Sequence, residues 1–233
     1  ERRRFLDLEL CQLSKIYLQD LADYNKILNQ RNKLLKDISF SPGLADTLDI
    51  WDMQLCSYGK KIIHIRKQFM EELNLIIHQI HGRLTGDKED ICLEYEPDVN
   101  EDEFETRLAL VRDKDLKMKV SSTGPHRDDF CVRVNGIDIR KFGSQGQQRT
   151  AALSLKMAEL RLVKNRIHDD PVLLLDDVLS ELDSGRQNYL LKSINDIQTM
   201  ITCTGLDEFI QNQFSINKVF RVTDGKVSII EED

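Results

Sequence analysis

An apolar run that ends in two carboxylates is the first feature of this sequence that could do chemistry. Val172 to Leu175 is followed directly by Asp176 and Asp177. Ligands bind at the carboxyl ends of strands in a parallel sheet, so both carboxylates would face a crevice. The first suits a magnesium ion, usually through water, and the second suits orienting a water that attacks a γ-phosphate. Taken alone, the pair could equally cap a helix or form a turn.

A polar turn upstream of the acidic pair could bind an anion. Gly143 to Arg149 reads Gly-Ser-Gln-Gly-Gln-Gln-Arg and opens a helical pattern. The first turn of a helix has free backbone N–H groups at the positive end of the helix dipole, and the side chains of Gln147 and Gln148 could add donors. A simple helix cap would explain this segment by itself. The acidic pair and Asp183, which follow in that order, favour the anion site.

The order of these segments resembles the head of an ABC ATPase, in which a signature segment, a Walker B strand and a D-loop follow one another. Within that superfamily the chain resembles the RecF family of recombinational-repair ATPases. The likeness extends from Glu1 to about Asp233. It is carried by the signature segment and by three further segments: Arg2 to Asp7 (RRRFLD), Thr123 to Asp129 (TGPHRDD), and Leu174 to Asp183 (LLDDVLSELD) followed by Arg186 and Leu190.

The resemblance implies roles for the signature residues. Ser144 and Gly146 would contact the γ-phosphate of an ATP held by the opposite subunit, with Gln145 and Gln147 in the same nucleotide-binding segment. The signature of one subunit would therefore complete the ATP site of the other.

The resemblance also implies roles for the acidic residues. Asp176 would hold Mg²⁺, and Asp177 would be the catalytic residue that serves the attacking water. Asp183 would lie across the dimer interface and couple the two ATP sites. Most ABC heads have Glu where this chain has Asp177; RecF-like sequences share the shorter Asp, and slow hydrolysis would follow.

Two departures from the ABC pattern concern the nucleotide. None of the eleven glycines begins a GxxxxGK[ST] motif, so Walker A is missing here and by analogy belongs to a segment before Glu1. We therefore expect a carboxyl-terminal portion that is inactive alone, and an intact protein that is a slow ATPase. Many ABC heads place a γ-phosphate-sensing histidine after the predicted strand 199–202. This chain has Thr202, Cys203 and Thr204, and the sequence does not choose among them.

The elements that position these residues follow from hydrophobic periodicity. One apolar stripe runs from Phe5 to Leu28 and another from Leu55 to Ile80, which predicts two long helices that fold back on each other. The helices 146–166 and 184–197 alternate with the wholly buried strands 171–175 and 199–202, which predicts a parallel sheet covered on both faces. The remaining predicted strands are 119–121, 130–134, 137–139, 219–222 and 226–230, with tight turns at Asn135-Gly136 and Asp224-Gly225.

The predicted fold class is therefore α/β: the carboxyl-terminal lobe of an ABC-type head plus an α-helical arm. We place the arm at 1–117, with an acidic linker near 87–105, and the head lobe at 118–233. Such an acidic run is typical of a solvated surface or linker; the alternative is a face that repels DNA. Helices of about 30 to 40 residues argue against the head of a long coiled-coil chromosome ATPase.

Composition limits the classes of function. With 233 residues, 40% hydrophobic content and a net charge of −7, the chain can form one or two cores, and it is too acidic to coat DNA through bulk positive charge. The five cysteines form no CxxC pair, which indicates reduced thiols rather than zinc or disulfides. No run approaches the roughly 18 apolar residues of a membrane span, so we expect a cytoplasmic protein without a membrane partner.

Any DNA contact would therefore be local. Each cationic cluster could equally be a solvated surface, and no aromatic residues are interleaved for base stacking. His126 and Arg127 could contact phosphate, or Arg127 could pair with Asp128 or Asp129 to hold the turn. The candidate cations are Arg2, Arg3, Arg4, Lys60, Lys61, Arg66, Lys67, Lys114, Lys117 and Lys119.

The resemblance implies partners as well. It implies an ATP-dependent homodimer on duplex DNA near single-strand gaps, without sequence specificity, that helps load RecA with RecO and RecR in repair, recombination, replication and the SOS response. The alternative is a non-catalytic partner-binding module built on half of an ABC head.

Overall fold

The computed structural model describes residues 2–167, 171–179, 182–194, 197–203 and 218–230. The chain divides into two compact units, Glu1–His168 and Asp169–Asp233. The predicted division into a helical arm at 1–117 and a head lobe at 118–233 stays a prediction.

Unit 1 combines a helical layer with a small antiparallel sheet. Its helices are α1 (Arg2–Leu13), α2 (Lys15–Asp37), α3 (Leu48–Thr85), α4 (Phe104–Leu110), α5 (Arg112–Met118), α6 (Ile139–Phe142) and α7 (Gln145–Ile167). Its strands are β1 (Ile91–Glu96), β2 (Asp129–Val134) and β3 (Ile137–Asp138).

The first apolar stripe forms two helices rather than the single helix predicted. Ser14 has an extended backbone (φ −144°, ψ 111°), and its hydroxyl accepts a 3.1 Å hydrogen bond from the Tyr17 N–H. Serine is favoured at this N-cap position because its oxygen satisfies a donor that the new helix leaves open. Leu10 and Tyr17 on either side of the break are both buried, so one core stripe continues across two helices.

Helix α3 is the longest element and confirms the second stripe. It packs along α2, as predicted, and ends where Gly86 adopts a left-handed backbone (φ 64°) and donates to the Gly82 carbonyl. A side chain at Gly59 would collide with the Phe104 ring, whose nearest atom would lie 2.3 Å from the added carbon. The absence of a side chain at Gly59 therefore lets α4 pack closely on α3.

The antiparallel sheet of unit 1 joins the acidic run to the TGPHRDD segment. Strand β1 pairs with β2 from Ile91↔Val134 to Glu96↔Asp129, and β2 pairs with β3. The predicted turn is present, because Asn135 (φ 51°) and Gly136 (φ 78°) both have the positive φ of a type I′ hairpin.

Two predicted strand segments are wrong. Residues 119–121 form no strand, because Lys119 ends α5 in a left-handed conformation and the Ser121 N–H donates to the Asn32 side chain instead of a ladder. Ile139 begins α6 instead of extending β3, because the Asp138 carboxylate caps the Arg140 N–H.

Unit 2 contains a parallel pair and a hairpin. Its elements are β4 (Leu173–Asp176), α8 (Ser184–Ser193), β5 (Thr199–Thr202), β6 (Val219–Thr223) and β7 (Lys226–Ile230). Strands β4 and β5 are parallel and end together at the pair Asp176↔Thr202. Strands β6 and β7 form the predicted hairpin, with Asp224 (φ 50°) and Gly225 (φ 75°) in its turn.

The prediction that these parallel strands are wholly buried is wrong for the described residues. Leu175 is 9% exposed, whereas Leu174 and its neighbour across the pair, Met200, are 70% and 63% exposed. Successive side chains of a strand point to opposite faces, and only the face of Leu175 is covered in the described part of unit 2. Helix α8 also ends at Ser193, earlier than predicted.

Candidate functional site

The signature segment is a reciprocal helix cap at the start of α7. The Gln147 N–H donates to Ser144 Oγ at 3.2 Å, and the Ser144 N–H donates to Gln147 Oε1 at 3.0 Å. This is a capping box, in which two open donors of the first turn are each satisfied by the other residue's side chain. The backbone of the segment is thereby held rigidly at a helix N-terminus.

The cap leaves the outer surface of the segment open to a ligand. Because Ser144 Oγ accepts the Gln147 N–H, its own hydroxyl proton can be donated outward. Ser144, Gln145 and Gly146 are exposed, and a side-chain carbon added at Gly146 would lie 3.9 Å from its nearest neighbour, Ser144 Oγ. The N–H groups of Gln145 and Gly146 lie in the first turn, where no helical carbonyl precedes them. This is the geometry of an anion site.

The two glutamine side chains do not contribute donors to that surface. Gln147 Nε2 donates to Glu89 Oε1 at 3.0 Å, and Gln148 Nε2 donates to the carbonyl oxygens of Ile139 and Gly143. Both amides therefore hold the turn in place, which corrects the expectation that they would face an anion. Backbone and hydroxyl donors remain for that task.

The acidic pair lies at the carboxyl ends of β4 and β5. Thr202 Oγ1 donates to Asp176 Oδ1 at 2.5 Å and accepts from the Asp177 N–H at 3.1 Å. The Asp177 N–H also donates to the Thr202 carbonyl at 3.1 Å. Both carboxylates are exposed. One threonine therefore fixes the positions of both aspartates.

Asp177 has a left-handed backbone with φ 52°. Few residues other than glycine adopt this conformation, and Asp and Asn are among those that do. Such conformations cluster at functional sites, where the surrounding structure maintains them. The kink turns the chain away from the strand direction directly after Asp176, so that the two neighbouring carboxylates do not simply alternate across the sheet.

The oxygen donors at this edge fit a magnesium ion. Mg²⁺ prefers oxygen ligands and is commonly bound through one or two carboxylates together with water and substrate phosphates. The described ranges contain no cluster of three or more His, Cys, Asp or Glu that could hold a metal. Asp176, supported by Thr202, would thus hold the ion only with a nucleotide and water completing its shell.

The remaining predicted site residues have local partners. Asp183 caps α8 by accepting from the Arg186 N–H at 3.0 Å and pairs with the Arg186 guanidinium at 2.9 Å. Thr202 is the hydroxyl that contacts the acidic pair, and Cys203 is exposed. Thr204 lies outside the described residues, as do Ser180 and Glu181 of the D-loop segment.

The RRRFLD and TGPHRDD segments meet around Arg66 of α3. Its guanidinium donates to Asp7 Oδ1, Asp128 Oδ2 and the Pro125 carbonyl, each at 2.7 Å, while its Nε donates to the Tyr17 hydroxyl at 3.0 Å. Burial opposes the charge, but Tyr17, Asp7 and Asp128 outweigh it and raise the pKa of Arg66 above its usual range. These segments therefore hold the fold together through a buried charge network.

Arg66 is consequently not a DNA contact, contrary to the sequence prediction, because only 1% of its side chain is exposed. The helical spacing could have indicated this burial, because Arg66 lies within the buried apolar stripe of α3. Lys60 and Lys61 pair with Glu105 and Asp20 at 3.7 and 3.3 Å. Arg2 lies outside the side chains described. The exposed candidates are Arg4, Lys61, Lys67, Lys114, Lys117 and Lys119.

His126 has a structural role in its Gly-Pro turn. Its Nε2 lies 3.2 Å from the Ser121 carbonyl, which can only accept, so Nε2 carries the proton and Nδ1 accepts the Tyr24 hydroxyl at 2.7 Å. Burial lowers the pKa of His126, which favours this neutral form. Arg127 Nε lies 3.9 Å from Asp98 Oδ1, and its pairing with Asp128 or Asp129 stays a prediction.

Similar chains occur among curated proteins and among solved structures. No family model matches the chain. Over 232 residues, covering 100% of this chain and 64% of the relative, it is 59% identical to the DNA replication and repair protein RecF of Agathobacter rectalis.

The chain is similar to RecF proteins over its whole length. The RecF protein of Lachnospira eligens is 63% identical over 229 residues, covering 97% of this chain and 63% of the relative. The chain therefore spans about 64% of the length of the curated RecF relatives that it matches.

Solved structures show a similar fold. A structure of the recombination mediator protein RecF with ATP, in the RecFOR pathway, matches with a TM-score of 0.88 and 35% identity over 99% of this chain and 62% of that chain. The Smc head domain of Pyrococcus furiosus matches with a TM-score of 0.52 and 13% identity over 98% of this chain and 56% of that one. The α/β fold of an ABC-type head with a helical region is thus confirmed. Across the described ranges, no helix is long and apolar enough to cross a membrane.

Proposed function

We propose that this chain supplies two halves of different ATP sites in an ATP-dependent DNA-binding protein of recombinational repair. The signature segment 144–149 would bind the nucleotide of a second subunit, and Asp176 and Asp177 would serve the nucleotide of their own. Two such heads would close on duplex DNA near single-strand gaps when ATP is bound. Hydrolysis would then release them.

The observation that carries this proposal is the outward-facing hydroxyl of Ser144. The capping box uses the Ser144 oxygen as an acceptor and leaves its proton, together with the first-turn N–H groups, at an exposed helix N-terminus. A terminal phosphate brought by another subunit would receive those donors along the helix dipole. A cap with no ligand-binding role would not require Gly146 to leave the surface open beside it.

The acidic pair would act on the nucleotide of the same subunit. Bound Mg²⁺ and ATP would supply charge neutralisation and the phosphoryl group, with Asp176 as the protein ligand of the ion. Thr202 holds one oxygen of Asp176 and leaves the other free to contact the ion or its water. Asp177 would orient the attacking water, since phosphoryl transfer depends mainly on positioning and charge stabilisation. Asp183 would face the partner near the same site.

DNA would be held through its backbone. Lys67, Lys114, Lys117 and Lys119 are exposed cations that could contact phosphates without reading the sequence. The RecFOR pathway named for the ATP-bound relative supports RecO and RecR as partners of this chain. Loading of RecA would follow from that assembly.

The proposal is tested on the full-length protein with Asp177→Asn. Asparagine tolerates the left-handed backbone of position 177 but cannot act as a carboxylate toward the water. The dimer should form with ATP and Mg²⁺ as in the wild type. Because hydrolysis releases the dimer, and removal of a catalytic group slows the reaction by about tenfold or more, the dimer should persist at least about tenfold longer. Dimer lifetime is measured by size-exclusion chromatography with light scattering after ATP is diluted.

Two outcomes would count against the proposal. An unchanged dimer lifetime in Asp177→Asn would remove the catalytic role of Asp177. A wild-type protein that stays monomeric with ATP and DNA would contradict the shared-site arrangement itself. Asp224→Asn, in the turn between β6 and β7 and likewise left-handed (φ 50°), is the matched control and should behave as the wild type.

A further inference from the structure

A chain of polar contacts connects the signature segment to the interior of helix α3. Gln147 Nε2 donates to Glu89 Oε1 at 3.0 Å, and Glu89 Oε2 lies 3.3 Å from His81 Nε2. His81 Nδ1 lies 2.8 Å from Ser154 Oγ on the signature helix α7. The side chain of His81 is fully buried, whereas that of Glu89 is 22% exposed. These contacts therefore connect Gln147, in the first turn of α7, through Glu89 and the buried His81 to Ser154, further along the same helix.

The direction of the hydrogen bond between His81 and Ser154 is determined by its neighbours. Ser154 Oγ donates its single proton to the Thr150 carbonyl at 2.8 Å, so it must accept from His81 Nδ1. On the other side of the ring, Nε2 lies 3.3 Å from Glu89 Oε2. Among the described residues this buried nitrogen makes no aligned hydrogen bond to Glu89, so His81 meets Glu89 through proximity rather than through a directed hydrogen bond.

The same logic determines which way the amide of Gln147 points. A carboxylate can only accept, so Glu89 attracts the NH₂ group of Gln147 and turns its oxygen toward the Ser144 N–H. That oxygen completes the capping box. If the amide rotated by half a turn, its NH₂ group would face the Ser144 N–H and the cap would open.

We propose that Glu89 and His81 are positioning residues that fix the Gln147 amide and thereby aim the Ser144 hydroxyl at the partner subunit's nucleotide. The proposal rests on the proposed function, because it assigns what holds the signature segment in its binding geometry. It also makes helix α3 part of the ATP-dependent contact, although no residue of α3 would touch the nucleotide.

The test compares Glu89→Ala with Glu89→Gln in the full-length protein. Glutamine at position 89 can accept from Gln147 with its oxygen and donate its NH₂ group to a neutral His81, so it should preserve the contacts. Alanine leaves the NH₂ group of Gln147 without its Glu89 acceptor, and ATP-dependent dimerisation should weaken by roughly tenfold, as expected for loss of one satisfied polar contact. The readout is the protein concentration at half dimerisation with saturating ATP and Mg²⁺.

The control variant is Asp90→Ala. Asp90 follows Glu89 and pairs with His78 at 2.9 Å in an exposed contact that does not reach the signature segment. This variant should dimerise like the wild type. It controls for the loss of one carboxylate from this loop.

A second pair of variants covers the case in which Glu89→Ala does not fold. His81→Gln places an amide NH₂ near the position of Nε2 and keeps the Glu89 contact, whereas His81→Asn keeps the Ser154 contact but is too short to reach Glu89. Weakened dimerisation in His81→Asn with retention in His81→Gln supports the proposal. Equal dimerisation by Glu89→Ala and Asp90→Ala, or equal effects of the two His81 variants, would overturn it. A wild type that fails to dimerise would instead refute the proposed function.

Discussion

Arg66 on helix α3 and Asp128 in the TGPHRDD segment form an ion pair of 2.7 Å in which both side chains are buried. Asp128 Oδ1 accepts a hydrogen bond from the Asp98 N–H. Asp128 Oδ2, which pairs with Arg66, also accepts one from the Tyr95 hydroxyl at 2.5 Å. A buried charge is tolerated only when it is paired and fully hydrogen-bonded. The TGPHRDD segment thus contributes to stability through Asp128.

Removing one member of this pair should be strongly destabilising. Asp128→Asn would leave the Arg66 charge with weaker compensation, and breaking a buried pair typically costs about 3 to 5 kcal/mol. Urea denaturation followed by circular dichroism measures the free energy of unfolding. Lys67→Ala, one residue along α3 and exposed, should change it by less than about 0.5 kcal/mol. A loss below about 1 kcal/mol in Asp128→Asn would contradict the structural role.

Two substitutions at Ser144 should separate capping from nucleotide contact. Ser144→Ala removes both the cap and the donor, so it should cost about 1 kcal/mol of stability and weaken ATP-dependent dimerisation. Ser144→Asp restores a capping oxygen but presents a negative charge to a phosphate. We expect near-normal thermal stability and lost dimerisation of full-length Ser144→Asp. If ATP-dependent dimerisation changes in parallel with thermal stability in both variants, Ser144 acts only as a helix cap and does not contact the nucleotide.

Thr202→Val should impair the acidic pair without disturbing the strand. Valine keeps the β-branched shape but cannot donate to Asp176 or accept from the Asp177 N–H. Full-length Thr202→Val should need several-fold more Mg²⁺ for half-maximal ATP-dependent dimerisation, whereas Thr202→Ser should not. Thr199→Val, at the start of the same strand, loses only a hydrogen bond to the Ile197 carbonyl and is the control. Equal Mg²⁺ requirements in all four proteins would exclude this role for the Thr202 hydroxyl.

The stability of unit 1 should fall as pH rises, because of Glu9 on α1. Burial, together with a hydrogen bond and repulsion from Glu159 on α7, raises the pKa of Glu9 from 4.5 to about 8. The folded state therefore holds this proton more tightly than the unfolded state. The stabilising contribution is complete below about pH 4.5 and is lost as pH rises through about 8.

Glu9→Gln tests this pH dependence because glutamine keeps the shape and does not titrate. Between the pKa of Glu9 in the unfolded state and its raised pKa in the folded state, the free energy of unfolding of the variant should increase relative to the wild type. The increase should be at most roughly 1.4 kcal/mol for each pH unit. Urea unfolding at several pH values gives the difference directly. Glu72→Gln, an exposed partner of Arg166, should show no such trend. A constant difference between Glu9→Gln and the wild type would refute the raised pKa.

The sequence by itself determined the elements whose signals are local. Apolar spacing located α3 and the α7 helix, and the Asn135-Gly136 and Asp224-Gly225 pairs located two hairpins, because backbone preference and hydrophobic period act over a few residues. The carboxylates at the end of β4 and the Ser-Gln-Gly-Gln turn were also visible as local motifs. Their roles in ATP binding stay predictions.

Only the tertiary structure decided which polar groups meet. Asp7, Arg66 and Asp128 are far apart in sequence, and neither composition nor period indicates that they share one buried network. The same holds for Glu89, which orients Gln147, and for Thr202, which joins the two aspartates. Hydrogen bonds and ion pairs depend on distances of a few ångströms between distant segments, and those distances exist only once the apolar stripes have packed.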